Sequence, residues 1–263
     1  MNGGRHPVRT WFVDLGNTRL KWAHVDALRS HDVQAYAHAG SQEAGSIGTR
    51  GLDGIFADVR PGDRAWIASV APPASTALVG SALERRGAIV VRALTQAACA
   101  GVRIAYAEPS RLGVDRFLAL LAAHARGPGA WLIASVGTAL TIDLLDAGGT
   151  HHGGLIAPSP TLMRAALSQR APHLPVEGGA IVDFAADTVD ALASGTILSA
   201  RALIARSLRA ARRRLDTTPT LLIAGGGADA LCDRWRVGAE RAPDLVLEGL
   251  AVYASAASAV HDG

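Results

Sequence analysis

Two stretches of this 263-residue chain, far apart in sequence, are built alike. Residues 11–22 (WFVDLGNTRLKW) run from apolar positions to an acid, turn at Gly-Asn, and return through alternating polar and apolar positions; residues 132–143 (LIASVGTALTID) repeat that plan around Gly-Thr. Short apolar runs broken by such turns predict a β-hairpin in each place. Using one hairpin plan twice points to a duplicated unit, related in structure rather than in sequence.

The segments around the hairpins extend the plan. Residues 65–70 (AWIASV) and 88–94 (AIVVRAL) are apolar runs of strand length flanking the helix-like STALVGSALERRG, which predicts a parallel crossover. Residues 113–126 carry apolar side chains at helical spacing and stop at Gly127-Pro128-Gly129. Beyond the second hairpin come a third strand (HHGGLIAP), a helix over about 161–169, a loop through Pro172 and Gly179, two helices over about 188–214, the strand TLLIAGG and an Ala-rich helix. The expected fold is α/β in two lobes with a central cleft. The lobes are expected at residues 1–114 and 115–263, with the last helix able to pack back on the first.

Composition narrows the function. Hydrophobic residues at 49% against charged residues at 19% supply a core and exclude intrinsic disorder. No apolar run reaches the ~18–20 residues of a membrane span, and the first ten residues hold no apolar leader segment. The chain reads as soluble and cytoplasmic, without a membrane partner. A net charge of +3 is small for this length, and the densest basic cluster, Arg201, Arg206, Arg209, Arg212, Arg213 and Arg214, falls in a helical stretch. That pattern describes a solvated helix face, so no nucleic-acid partner is expected. Cys99 and Cys232 lack metal-site spacing and read as core thiols. Of 26 basic residues one is a lysine, Lys21, on the returning strand of the first hairpin.

In that hairpin Asp14 ends a strand, Gly16 lets a ligand approach the backbone, and Asn17 and Thr18 add donors. Such a turn receives phosphates while Asp14 holds Mg²⁺ and Lys21 reaches the same phosphates; on spacing alone it is equally an ordinary turn stabilised by its Asp. Gly137, Thr138 and Thr141 repeat the logic. Gly225, Gly226 and Gly227 form a strand-to-helix turn that suits close approach of an adenine ring or a sugar, or is only a turn. Asp115, in a helix's first turn, serves as general base or as a structural cap.

The ordered set resembles type III pantothenate kinases, members of the acetate and sugar kinase/Hsp70/actin superfamily with ribonuclease-H-like lobes built on mixed five-stranded sheets. The matching residues are Asp14-x-Gly16-Asn17-Thr18-x-x-Lys21, Tyr106-x-x-Pro109-x-x-Leu112-Gly113-x-Asp115-Arg116, Gly137-Thr138-Ala139-x-Thr141, Gly153-Gly154-x-Ile156-x-Pro158 and Thr188-x-x-Ala191-x-x-Ser194-Gly195. The resemblance implies ATP-dependent phosphorylation of pantothenate, the first step of coenzyme A synthesis. It makes Asp115 the base, and assigns Asp14, Gly16, Asn17, Thr18, Lys21, Gly137, Thr138, Thr141, Gly226 and Gly227 to ATP and its Mg²⁺. Tyr106, Gly113, Arg116 and Thr188 then fall to pantothenate, with Thr188 supplied across a homodimer interface. A monovalent cation, K⁺ or NH₄⁺, is also implied, with its ligands left open. One departure stands out: Ser135 occupies the place where the family carries an acid before its second Gly-Thr turn. Asp143 either compensates for it or faces solvent, and His151-His152 read as a loop pair rather than metal ligands. The alternative on the same scaffold is a catalytically weak nucleotide-binding accessory or regulatory protein.

Overall fold

β-branched and aromatic residues, buried on both faces at Trp11, Phe12 and Val13, form the first strand, β1 (Thr10–Leu15), which turns into β2 (Arg19–His24) in antiparallel register from Trp11 opposite His24 to Leu15 opposite Leu20. The computed structural model describes residues 7–38, 49–232 and 239–261; the first six residues, part of the segment read above as lacking a leader, lie outside it. The chain divides into two units, Met1–Ala100 with Glu108–Ala122 and Val246–Gly263, and Gly101–Ala107 with Ala123–Leu245.

The first unit holds a mixed five-stranded sheet in the order β3-β2-β1-β4-β5, with β3 (Gln34–Ala37), β4 (Arg64–Ser69) and β5 (Ile89–Arg92). β4 runs parallel to β1 and to β5, and α3 (Pro73–Arg85) makes the crossover predicted from residues 65–94. Short α1 (Val25–Arg29) follows the hairpin, and α2 (Thr49–Ile55) precedes β4. Alternation sends Trp11, Val13 and Leu15 into a core with Leu52, Phe56, Val79 and Leu83, beneath α2 and α3. Phe12 and Asp14 therefore point to the other face. Trp66, on β4, meets Tyr253 of α8 (Leu245–His261) edge-on at 5.9 Å, and Tyr253 in turn meets Phe117 of α4 (Val114–Ala125) at 6.3 Å. Buried Asp63 clasps the start of β1: its carboxylate accepts from the Arg9 amide, the Trp11 indole and the Arg60 amide at 2.9, 2.9 and 3.0 Å. Burial opposes its charge, but these donors hold the carboxyl below its ordinary value.

The second unit repeats the topology as β10-β9-β8-β11-β12, with β8 (Trp131–Val136), β9 (Ala139–Leu145), β10 (His151–Pro158), β11 (Thr220–Ala224) and β12 (Ala239–Ala242). The first three are antiparallel neighbours and the rest parallel. Two-residue strands β6 (Ala98–Cys99) and β7 (Val102–Arg103) pair separately. α5 (Pro160–Arg170) follows β10, and α7 (Ala228–Cys232) follows β11.

Where two helices were expected over 188–214, the structure has one, α6 (Thr188–Leu215), of 28 residues. No proline interrupts it, and the space beside Gly195 is open, so that glycine neither breaks nor bends the helix. Asp187 caps it by accepting from the Asp190 amide at 2.9 Å, and left-handed Asp216 (φ 51°) ends it. Ile197, Ala200, Ile204 and Ala211 lie against Leu132, Ile142, Leu221 and Ile223 of the sheet. Among the described residues α6 is also the one helix long and apolar enough to cross a membrane, which a count of apolar runs overlooked; 33% of its apolar window is buried within the protein. The arginines from 206 to 214 lie on its exposed side, as expected. Both cysteines are half-buried rather than core thiols.

α8 reaches α4 through Gly249, where an added Cβ would overlap the Leu118 carbonyl and backbone. Replacing Gly249 by valine is expected to cost about 1–3 kcal/mol through overpacking, read as a fall of several degrees in Tm by differential scanning fluorimetry, with Gly195→Ala on α6 as the tolerated control.

Candidate active site

The turn after β1 is held before any ligand arrives. The Gly16 amide donates to the Arg19 carbonyl at 3.0 Å. From beyond β3, the His38 amide donates to the Thr18 carbonyl at 3.0 Å and its Nε2 lies 3.1 Å from the Gly16 carbonyl. Asn17 and Thr18 are thereby exposed on a braced loop. Nothing in the sequence singled out His38, because its role arises from strand pairing thirty-odd positions into the chain rather than from a motif.

Asp14 stands opposite Lys21 in the β1–β2 register and is half-buried. Its carboxyl is pushed up to about 7: burial is the main cause, the Asp115 carboxyl adds to it, and Lys21 works against it. The like-charge effect requires Asp115 to lie near Asp14 although a hundred residues separate them, so the first unit brings together the acid predicted to hold a cation, the acid predicted as base, and the chain's lysine.

Asp115 sits in the first turn of α4. Its Oδ1 accepts from the Arg116 amide at 2.8 Å and folds back over Gly113, where a Cβ would lie 2.6 Å from that oxygen. Gly113 thus leaves the carboxylate its place. The preceding residues form a 3₁₀ turn over Pro109–Arg111, and the Thr95 hydroxyl donates to the Leu112 carbonyl at 2.8 Å, fixing the entry to the helix. Arg116 is buried.

In the second unit the Gly137 amide donates to the Ala139 carbonyl at 2.9 Å, the counterpart of the Gly16 turn. Thr141 pairs across from Ser135, so this hairpin carries two hydroxyls where the first carries an acid and an amine. The buried Ser159 hydroxyl donates to the Thr138 carbonyl at 2.9 Å and caps α5 by accepting from the Leu162 amide at 3.2 Å. The glycine turn after β11 lies against the same hairpin. Gly225 (φ 87°) would set a Cβ against the Val136 carbonyl, Gly227 would set one 2.7 Å from Val136 Cγ1, and the Gly227 amide donates to the Val136 carbonyl at 3.0 Å. Close packing thus demands glycine at 225 and 227.

Tyr106 is half-buried and stacks on His151, the ring planes 6° apart. His151 and His152 do not form a loop pair. They open β10: His151 is buried against Asp143, at 3.0 Å, and His152 bridges Asp146 at 2.8 Å and Arg214 at 3.1 Å. Asp143 is likewise buried, which settles the choice left open for it against solvent. Thr188 is the exposed first residue of α6. Among the described residues no three His, Cys, Asp or Glu side chains gather as a metal site.

Comparison with known proteins completes the picture. The family model for type III pantothenate kinases matches residues 11–210. A type III pantothenate kinase of Stenotrophomonas maltophilia (strain R551-3) is 51% identical over 245 residues, 93% of this chain and 96% of the relative. One of Xanthomonas axonopodis pv. citri (strain 306) is 50% identical over 249 residues, covering 94% and 98%. Among solved structures, one described as a conserved Baf family transcriptional activator of Campylobacter jejuni superposes with a TM-score of 0.61 at 16% identity, covering 95% of this chain and 99% of that one. A protein described as a 2-dehydro-3-deoxygalactonokinase of Sinorhizobium meliloti gives 0.52 at 19% identity, covering 95% and 96%, and an archaeal actin homolog 0.51 at 12%, covering 96% and 100%. At such identities these structures speak for the fold, that of the actin-like and sugar-kinase proteins. Half of all positions shared over nearly full length with named relatives, on this twice-used hairpin architecture, decides the rest: the chain belongs to the type III pantothenate kinase family.

Proposed function

We propose that the protein transfers the γ-phosphate of ATP to the primary hydroxyl of pantothenate, the first step of coenzyme A biosynthesis. The observation that carries the reading is the proximity of Asp14 and Asp115 beside Lys21, in the family to which the chain belongs. Phosphoryl transfer asks for positioning, charge neutralisation and one oriented proton acceptor. Asp115 is that acceptor: the positive end of α4 favours its ionised form, and Gly113 leaves room for the carboxylate. The hydroxyl proton passes to Asp115, the substrate oxygen bonds to the γ-phosphorus, and the bond to the β-phosphate oxygen breaks, releasing ADP.

Asp14 is the residue to hold Mg²⁺, and it fits that role because a carboxyl raised to about 7 by burial, with a second carboxyl adding to it, is relieved by a divalent cation. Mg²⁺ supplies neutralisation of charge on the phosphates. Gly16, Asn17, Thr18, Lys21, Gly137, Thr138 and Thr141 are the residues to receive phosphate oxygens, with Gly226 and Gly227 for the adenosine. Tyr106, Gly113, Arg116 and Thr188 contact pantothenate, the Arg116 guanidinium matching its carboxylate. The resemblance adds a cytoplasmic location and a monovalent cation; with Ser135 neutral, the second hairpin offers that cation a weaker hold than an acid would. No observation favours the accessory or regulatory alternative.

The homodimer belongs to this reading, supported by apolar side chains left exposed on the second unit: Leu155 and Ile156 on the edge strand β10, and Val182, Phe184 and Val189 around the start of α6. Ile156→Arg with Phe184→Arg is expected to shift sedimentation velocity from dimer to monomer; an unchanged profile removes this surface from the interface.

Incubation with ATP, Mg²⁺, K⁺ and pantothenate should yield 4′-phosphopantothenate by direct mass detection. Asp115→Asn should lower kcat by at least about 10²-fold while the protein stays folded and dimeric, and near-normal turnover would remove Asp115 as the base.

The raised Asp14 carboxyl also fixes the sign of a stability effect. The folded chain keeps a proton there that the unfolded chain loses near 3.8, so without Mg²⁺ stability falls as pH rises from about 4 to about 7 and then levels off. Asp14→Asn is therefore expected to raise Tm at pH 8, to lose that advantage toward pH 4, and to abolish phosphotransfer; equal Tm values at both pH values would contradict the assignment.

A further inference from the structure

Tyr106 lies on backbone that no sheet holds. β7 ends at Arg103 and the 3₁₀ turn begins at Pro109. Two backbone ties tether the stretch just ahead of it: the Arg103 amide donates to the Gly149 carbonyl at 2.9 Å, and the Ala105 amide donates to His151 Nδ1 at 3.4 Å. An amide only donates, so His151 Nδ1 carries a lone pair and the imidazole proton sits on Nε2, which faces Asp143 Oδ1 at 3.0 Å. Both ring nitrogens are thereby fixed, and with them the plane of the ring. Tyr106 lies within 6° of that plane, at a centroid separation of 6.2 Å.

The strand register explains how Asp143 reaches the histidine. His151 is opposite Leu145, yet Gly154 is opposite Asp143, so β10 carries an irregularity between His151 and Gly154. His151 is displaced onto a diagonal with Asp143, two positions along β9 from its partner. Both are almost wholly buried, at 1% and 3% exposure, whereas Tyr106 remains partly open. A carboxyl acceptor buried behind an imidazole is an orienting device of the kind that fixes histidine geometry elsewhere.

We infer that Asp143 and His151 form a positioning pair that sets the plane and location of the Tyr106 ring for the substrate. The inference rests on the reading that Tyr106 contacts pantothenate, and it adds two residues acting through Tyr106 rather than on the substrate. His151→Phe keeps a buried ring and removes both hydrogen bonds; Asp143→Asn keeps an acceptor oxygen for Nε2–H.

Steady-state kinetics of the full-length protein with pantothenate and ATP test the pair. His151→Phe should raise KM for pantothenate about tenfold with kcat within about threefold and KM for ATP unchanged, Asp143→Asn should restore near-native KM, and His151→Phe should add nothing on a Tyr106→Ala background. A His151→Phe effect that persists in full on that background, or that moves both KM values together, overturns the inference. Hydrogen exchange supplies a readout that needs no substrate: the amides of residues 102–107 should exchange faster in His151→Phe than in the parent, and unchanged protection overturns the pair. Should the parent enzyme fail to phosphorylate pantothenate, the functional reading falls, and the exchange measurement judges the pair alone.

Discussion

Two carboxyls of one sign, Asp14 at the end of β1 and Asp115 in the first turn of α4, are held near each other in partly desolvated surroundings with a single amine, Lys21, to offset them. Left to itself such an arrangement destabilises the fold, since burial and repulsion both disfavour ionising Asp14. The surrounding structure enforces it. Strand alternation sends Trp11, Val13 and Leu15 to one core and leaves Asp14 on the face shared with Phe12, while Tyr253 packs α8 against α4 and Trp66. Stored cost of this kind clusters at functional sites.

The same hairpin appears twice with different electrostatics. In the first unit Asp14 faces Lys21 across the strands, and in the second Ser135 faces Thr141. Both turns close in the same way, through a glycine amide donating to the carbonyl two or three residues on. Geometry is therefore kept between the copies while charge is not: one turn carries an acid opposite an amine and the other a pair of hydroxyls. The buried hydrogen-bonded pair of the second unit, Asp143 with His151, belongs to a different part of its sheet.

Much of this was legible in the residues. Both hairpins, the 65–94 crossover, α4 with its Gly-Pro-Gly stop and the strand before the glycine turn follow from apolar spacing and turn chemistry. What escaped did so for physical reasons. β3 (QAYA) is exposed along its length and β12 (AERA) is exposed only at its two middle residues, and neither presents the alternation that marks a half-buried strand. One helix, α6, stands where two were expected, and it runs through Gly195, a weak helix former with open space beside it. His151 and His152 follow a Gly-Gly turn and look like loop residues; only the β9–β10 register reveals that one enters the core and the other bridges Asp146 and Arg214. The site acids were visible as motif positions, whereas their mutual repulsion, the His38 brace and the Ser159 tie depend on contacts between distant segments.

The way the polypeptide is partitioned bears on how it is made. Met1–Ala100 and Glu108–Ala122 share their unit with Val246–Gly263, whereas the other unit is nearly one unbroken run ending at Leu245. Domains emerging from a ribosome ordinarily fold in order of synthesis. Here the earliest strands must wait for α8: Tyr253 and Gly249, which pack on Trp66 and α4, are synthesised after the whole of the other unit. The middle of the chain can mature while its beginning still lacks the packing that α8 supplies.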